Sequence, residues 1–167
     1  MRIIELRREI FKSDAEKIID WLEDYDVNQH LNESQNVNDN IRKIIYRVNM
    51  PILTHVFNQD GTFFMVTTPS KGPIGFLRLI PKNYHTEMVV VIGDKKEWGK
   101  GFGFKAVLEG LKHAFFKWRK DKVIAKISHE NGRSKRVFKK AGFIHDKELT
   151  CETQYSISVN KFLQVIN

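Results

Sequence analysis

Three glycines at alternate positions, Gly99, Gly101 and Gly103, follow the unbroken apolar run Met88 to Ile92 and precede a long amphipathic segment. With no Cβ in the way, amides in such a loop can approach a bulky group closely and adopt positive φ. The first N–H groups of a helix have no intrahelical partners, and its dipole adds positive potential at the same end. A glycine loop at a helix start therefore suits an anion, a phosphate above all, and Lys95, Lys96 and Lys100 add positive charge around it. Taken alone, the same glycines also serve as a tight turn from strand to helix. The dinucleotide fingerprint fails on glycine spacing, and the Walker loop fails because no Gly-Lys-Ser/Thr closes it.

The elements that must hold this loop are written on either side of it. Residues 88 to 92 are β-branched and apolar without alternation, which predicts a strand covered on both faces, ended by Gly93. Phe104, Val107, Leu108, Leu111, Ala114, Phe115 and Trp118 recur at three- and four-residue steps and predict a helix with one apolar face. Upstream, Arg2 to Ile10 alternates as a first strand with Ile4, Leu6, Arg8 and Ile10 on one face. Ser13-x-x-Glu16 is a capping box for a helix whose apolar face is Ala15, Ile18, Ile19 and Leu22. A polar, Asn-rich loop over 28–40 leads to a second helix at Ile41 to Val48, stopped before Pro51. Strands follow at Thr62 to Thr67 and Ile74 to Ile80. After the central strand, loop and helix come a strand at Lys122 to Ser128, a short helix at Ser134 to Lys140, and strands near Phe143 to Leu149 and Thr153 to Val159.

At 167 residues, 41% hydrophobic and 29% charged, the chain has the makings of one globular domain, 1–167, and no room for a second core. No stretch reaches the roughly 20 apolar residues of a membrane helix, and the N-terminus carries no signal-length apolar run, so the expectation is a cytoplasmic protein. The single cysteine, Cys151, is expected to be a small, half-buried residue. The formal charge of +8 calls for an anionic partner. It is unevenly spread: residues 13 to 40 hold eight acids and one base, a net of −7, which leaves +15 on the rest and points to two different ligands rather than one polyanion.

In Trp98-Gly99-Lys100-Gly101-Phe102-Gly103, between a strand and a helix, the chain resembles the GNAT superfamily of acetyl-CoA-dependent N-acetyltransferases, whose motif there is Gln/Arg-x-x-Gly-x-Gly/Ala. The wider string beginning Ile92-Gly93 looks like the branch of ribosomal-protein N-terminal and spermidine acetyltransferases. About thirty residues on, Asn131-x-x-Ser134 and Lys140-Ala141-Gly142-Phe143 resemble a second segment of that branch. The element order is also the family's, which implies a mixed α/β fold: one GNAT-like domain with a mostly antiparallel twisted sheet and helices on both faces. By the same resemblance, Val90, Val91 and Ile92 offer main-chain groups to the pantetheine arm, and Trp98, Gly99, Lys100, Gly101, Phe102 and Gly103 form the diphosphate loop. Asn131 and Ser134 would hydrogen-bond the cofactor, acetyl-CoA.

Acetyl transfer from a thioester needs a neutral amine, a donor for charge on the thioester oxygen, and a proton for the leaving sulfur. The branch often has a Glu before Ile-Gly, matched by Glu87-Met88-Val89, so Glu87 is the candidate base, acting through water; a strand-end carboxylate paired with a lysine is the plainer reading. Ser134 is the candidate proton donor, with helix capping by Asn131 and Ser134 the alternative. Many members carry a Tyr four residues beyond that Ser; here it is Phe138, which leaves Ser134, water or a distant phenol such as Tyr155 to reprotonate sulfur, or the thiolate to leave unprotonated. The six histidines show no metal-ligand spacing, so no metal site is expected. His85, on the strand face of Glu87, is kept as an acceptor-site candidate. The basic run Arg133, Lys135, Arg136, Lys139 and Lys140 reads as a solvated face, a grip on the nucleotide end of coenzyme A, or an RNA contact.

In the family, the segment between the first strand and second helix borders the acceptor. Here it is acidic, which implies a cationic primary amine, a polyamine or aminosugar. The alternative acceptor is a protein N-terminus, and the alternative class is a non-catalytic nucleotide or RNA binder on the same fold. Nucleic acid is disfavoured as a partner because no arginine-aromatic interleaving accompanies the basic residues. A homodimer is left open.

Overall fold

A computed structural model describes residues 3–31, 39–47 and 49–167. Alternation sorts neighbouring side chains onto opposite faces of its sheet. The elements run β1 (Glu5–Arg7), α1 (Lys12–Glu23), α2 (Tyr25–Asn28), α3 (Asp39–Arg47), α4 (Thr54–Phe57), β2 (Thr62–Thr68), β3 (Gly72–Pro81), β4 (Thr86–Ile92), α5 (Phe102–Lys112), β5 (Lys122–Ser128), α6 (Gly132–Lys140), β6 (Ile144–Glu148), β7 (Glu152–Ser158) and α7 (Val159–Ile166). The sheet order is β1-β2-β3-β4-β5-β7-β6; β4 and β5 are parallel and every other neighbouring pair is antiparallel. This is the mixed, mostly antiparallel α/β sheet that the element order implies.

A core lies on each face. Phe64, Leu77 and Met88 pack under Val107 and Leu111 of α5. Their strand neighbours Phe63, Phe76 and Val89 face the other way, against Ile18 and Leu22 of α1. Strand β4 thus has apolar neighbours on both sides, the physical reason its sequence does not alternate. Fully burying one such side chain is worth about 1.5–3 kcal/mol.

β4 and β5 pair at Thr86 with Val123 and at Glu87 with Ile124. Beyond Glu87 they diverge, and a small cavity of about 30 Å³ lies between Met88, Val89 and Val90 on one side and Ala125 to Ser128 on the other. Among the described residues, β4 has no ladder pairing with β5 along that edge from Met88 onward.

Several expectations are corrected. β1 is confined to Glu5–Arg7, because Ile4 and Leu6 join the α5-side core whereas Ile10 joins the α1-side core and the chain must bend between them. The first helix is capped two residues earlier than Ser13-x-x-Glu16 predicts: the Asp14 carboxylate accepts from the Phe11 N–H at 2.9 Å and pairs with Arg7 at 2.8 Å. Of the expected Asn-rich loop, 32–38 lie outside the described residues, as does Val48 at the end of the expected second helix. The long helix changes to a π-helical turn at His113–Lys117. β7 ends at Ser158, whose hydroxyl caps the unexpected α7 by accepting from Lys161 N–H at 3.1 Å, and Phe162 anchors that helix. Cys151 is exposed in the β6–β7 turn rather than half-buried. Among the described residues no helix is long and apolar enough to cross a membrane.

Candidate functional site

The mouth of the β4–β5 split opens into a second, larger cavity of about 380 Å³. Val90, Val91 and Ile92 form one wall, the loop from Trp98 to Phe104 another, the first two turns of α6 a third, and Val27, His30 and Leu31, from α2 and the turn after it, the fourth. The two cavities share His30, Leu31, Val90, Asn131 and Ser134. Ten of the eleven residues expected to hold the cofactor therefore meet on one surface. The exception is Lys100, whose ammonium is drawn to Glu97 Oε2 at 3.3 Å.

The loop obeys the backbone logic of its glycines. Gly101 caps α5 at φ +87° and Gly99 lies at φ +75°, the left-handed region that side-chain-bearing residues enter at a cost of about 1–2 kcal/mol. A Cβ on Gly99 would meet no protein atom within 4 Å. The bare face of Gly99 looks into open space beside the first amides of α5, so bulk there would fall on a bound group and not on the protein.

The charge around the loop comes from a different element than Lys95 and Lys96 would suggest. Lys95 binds Asp24 at 2.8 Å and Asp26 at 3.2 Å, which holds Asp24 below the usual carboxylate range, and Lys96 is exposed. In their place α6 turns Arg133, Arg136 and Lys140 to the cavity. Lys135 instead donates to the His129 carbonyl at 2.7 Å, and Lys139 lies 5.8 Å from the Tyr155 ring centroid. Three of the five cations in this run thus face the cavity. Burial, and then neighbouring Arg136, lower Arg133 from its ordinary pKa, so both guanidiniums gain from an anion between them. Arg133 also stacks on Trp98, and the Trp98 Nε1–H donates to the Ile92 carbonyl at 2.6 Å. Beneath the loop the buried Glu97 carboxylate receives Lys71 at 2.7 Å as well as Lys100, which holds it below the usual range.

Asn131 does two things at once: its Oδ1 accepts from Ser134 N–H at 3.2 Å, capping α6, and its side chain lines both cavities. Ser134 lines both as well. Phe138, in place of the usual Tyr, closes the small cavity and packs edge-on to Phe143. Tyr155 is buried in the α5-side core and lines neither cavity, so it is no substitute phenol. Glu87 also lines neither. It is buried where β4 and β5 still pair, with Lys126 Nζ at 3.5 Å. His85 stands outside both cavities, pulled below the usual imidazole range by burial and then by Lys122. His30, which the sequence passed over for want of metal-ligand spacing, is at the junction. Among the described residues no group of three or more His, Cys, Asp or Glu could hold a metal ion.

These parts fit acetyl-CoA. The free helix-start amides and α6 cations suit its phosphates, the parted edge of β4 suits the amides of its pantetheine arm, and the β4–β5 split has room for a small acyl end. The family described as "Acetyltransferase (GNAT) domain" matches residues 5–144. No curated protein matches the sequence. Solved structures do. Spermidine N-acetyltransferase from Vibrio cholerae in complex with CoA and spermine is 19% identical, with TM-score 0.75, covering 96% of this chain and 98% of that one. A dodecameric form of the Vibrio cholerae enzyme gives 19% identity, TM-score 0.73 and 96% coverage of each chain. A domain from Methanocaldococcus jannaschii gives 18% identity and TM-score 0.76, covering 95% and 100%.

Proposed function

The chain belongs to the GNAT family of acetyl-CoA-dependent N-acetyltransferases, and from that premise we propose that it acetylates a cationic primary amine, a polyamine or aminosugar, in a ternary complex. The observation that carries the reading is one continuous surface running from the glycine loop to the split between β4 and β5.

The amides of Gly99 to Phe104, with Arg133, Arg136 and Lys140, would hold the phosphates. Main-chain groups of Val90 and Val91 would pair with the pantetheine arm; the Ile92 carbonyl is already taken by Trp98. Acetyl-CoA supplies an acetyl group activated as a thioester. Leu31, Val90 and Phe138 exclude water where the acyl group would lie. Ser134 Oγ, on the wall of both cavities, would hold the proton that the departing sulfur takes. Glu87 serves by fixing Lys126 at the base of the split.

The acidic segment supports a cationic acceptor, because α2 within it forms a wall of the cavity and Glu16, Asp20 and Glu23 lie exposed on α1. Its attraction is partial, since Asp14 is spent on Arg7, and Asp24 and Asp26 on Lys95. The spermine in the Vibrio cholerae structure supports a polyamine. Acetylation of a protein N-terminus is the second reading. The dodecamer of the Vibrio cholerae enzyme supports self-association, a homodimer at least. Thiol release from acetyl-CoA, compared across spermine, kanamycin and short peptides of opposite charge, tests the acceptor. Turnover with spermine or kanamycin is expected, and turnover with a peptide alone would select the second reading.

A further inference from the structure

The residue that the sequence nominates as base, Glu87, lines neither cavity, and the shape of the site offers another. We propose that His30 takes the proton from the acceptor amine. The inference rests on the transferase reading above and adds a residue to it.

His30 is held where it can act. Asp24 caps α2 by accepting from Asp26 N–H at 2.9 Å, and the Asn28 side-chain amide donates back to the Leu22 carbonyl of α1 at 2.7 Å. Val27 is buried in the α1-side core, and Leu31 N–H closes the turn on the Asn28 carbonyl at 3.0 Å. The half-buried imidazole that follows lies on the wall of both cavities, at the point where the cofactor groove meets the β4–β5 split.

The other lining groups are unsuited to the task. Of the five residues common to both cavities, Leu31 and Val90 are apolar, and neither the Asn131 amide nor the Ser134 hydroxyl is a base near neutral pH. The charged groups facing the imidazole's two cavities are Glu97 from the loop, Arg133, Arg136 and Lys140 from α6, and Lys126 from β5; β4 contributes apolar side chains. Glu97 is claimed by two lysines and the rest are cations. Among the described lining residues, an imidazole nitrogen is the remaining neutral lone pair that can accept a proton and pass it on to water.

The acceptor arrives as an ammonium. One N–H bond breaks, its proton bonds to the imidazole nitrogen, and the electron pair stays on the amine. Over the whole reaction a C–N bond forms, the C–S bond breaks, one amine proton ends on sulfur, and the other leaves through His30 to solvent.

The test joins calorimetric binding of acetyl-CoA, the NMR signal of the His30 ring, and pH-rate profiles of thiol release with spermine, kanamycin and a peptide as acceptors. The His30 signal, assigned by its loss in His30→Gln, is expected to move on addition of acetyl-CoA. His30→Gln should keep its acetyl-CoA affinity, lose between about a hundred- and ten-thousand-fold in maximal rate, and lose the acid limb of the profile. Glu87→Gln should keep that limb, and free imidazole should restore part of the rate to His30→Ala. A His30→Gln enzyme with wild-type rate and profile overturns the role of His30 and leaves the transferase intact. A wild-type protein that neither binds acetyl-CoA nor releases thiol overturns both.

Discussion

The guanidinium of Arg133 lies over the indole of Trp98, 3.5 Å from the ring centroid. That contact ties the glycine loop to the first turn of α6, so the two elements that supply positive potential are fixed to each other. Trp98 is in turn anchored to the end of β4 through its Nε1–H on the Ile92 carbonyl. The residue standing where the wider family has Gln or Arg has become a clamp that joins strand, loop and helix.

Removing the clamp should loosen the groove without unfolding the sheet. Trp98→Ala is expected to weaken acetyl-CoA binding about tenfold, which is about 1.4 kcal/mol. Trp98→Phe, which keeps a ring for Arg133 but loses the hydrogen bond, should cost less. A double-mutant cycle with Arg133→Ala, read by calorimetry, should show a coupling of about 0.5–2 kcal/mol. Strict additivity would mean that the stacking does not contribute to binding.

Helix α6 carries five cations, and the structure separates them by direction. Arg136→Ala and Lys140→Ala should each weaken acetyl-CoA binding roughly tenfold and flatten its dependence on salt. Lys135→Ala and Lys139→Ala, whose side chains are engaged with the His129 carbonyl and the Tyr155 ring, should leave both unchanged. Equal losses at all four positions would indicate a diffuse basic surface in place of a groove.

The glycines divide in the same way. Gly99→Ala adds a methyl group in open space at φ +75°, so stability should fall by about 1 kcal/mol while acetyl-CoA affinity falls by more than that. Gly101→Val puts a β-branched residue at φ +87° on the cap of α5, and both stability and binding should be lost. Gly103→Ala meets only ordinary contacts with Ile92 and Val137 at 3.8 Å, so its melting temperature should be unchanged. Thermal melts alongside calorimetry separate the three outcomes.

The parts of the fold that could be read from the chain are those in which one local rule acts alone. Residues 88 to 92 are one unbroken apolar run and the stripe from Phe104 to Leu111 has one periodicity, and each became the expected element. Ile4 and Ile10 misled because alternation says that two residues share a face and cannot say that the strand will bend between them into different cores. Ser13-x-x-Glu16 lost to Asp14 because a capping residue that also pairs with Arg7 satisfies a tertiary contact invisible to spacing. At the site, backbone-determined features were legible, because Gly99, Gly101 and Asn131 act through φ or through a cap. Side-chain direction was not. Arg136 and Lys139 look alike in the sequence, Lys95 looked available until α2 brought Asp24 and Asp26 to it, and His30 had no motif around it. A partial signal did exist at residues 24 to 31, where Asp24 and Asn28 are placed to close a short turn.

The last expectation concerns pH and the ion pair beneath the loop. Glu97 is depressed below its ordinary 4.5, chiefly by the hydrogen bond from Lys71, and Lys71 is raised above its ordinary 10.5 by the same contact. A carboxylate with a depressed folded value stabilises the protein above its unfolded value, and that contribution is lost as pH falls through the folded one. A lysine with a raised folded value stabilises below its unfolded value, and that contribution is lost as pH rises through the folded one. The pair is therefore fully effective between the two ordinary values and fades outside them on both sides. Melting temperatures of the wild type and Glu97→Gln should differ by a constant amount across that window, and the two curves should converge as pH falls through the depressed Glu97 value. Asp24, Asp146 and Glu148 are also depressed, by Lys95, Gln154 and His145 respectively, so the acid limb of Glu97→Gln should become shallower without disappearing. If the two curves run parallel into acid, Glu97 holds the loop by packing alone and its charge contributes nothing to the fold.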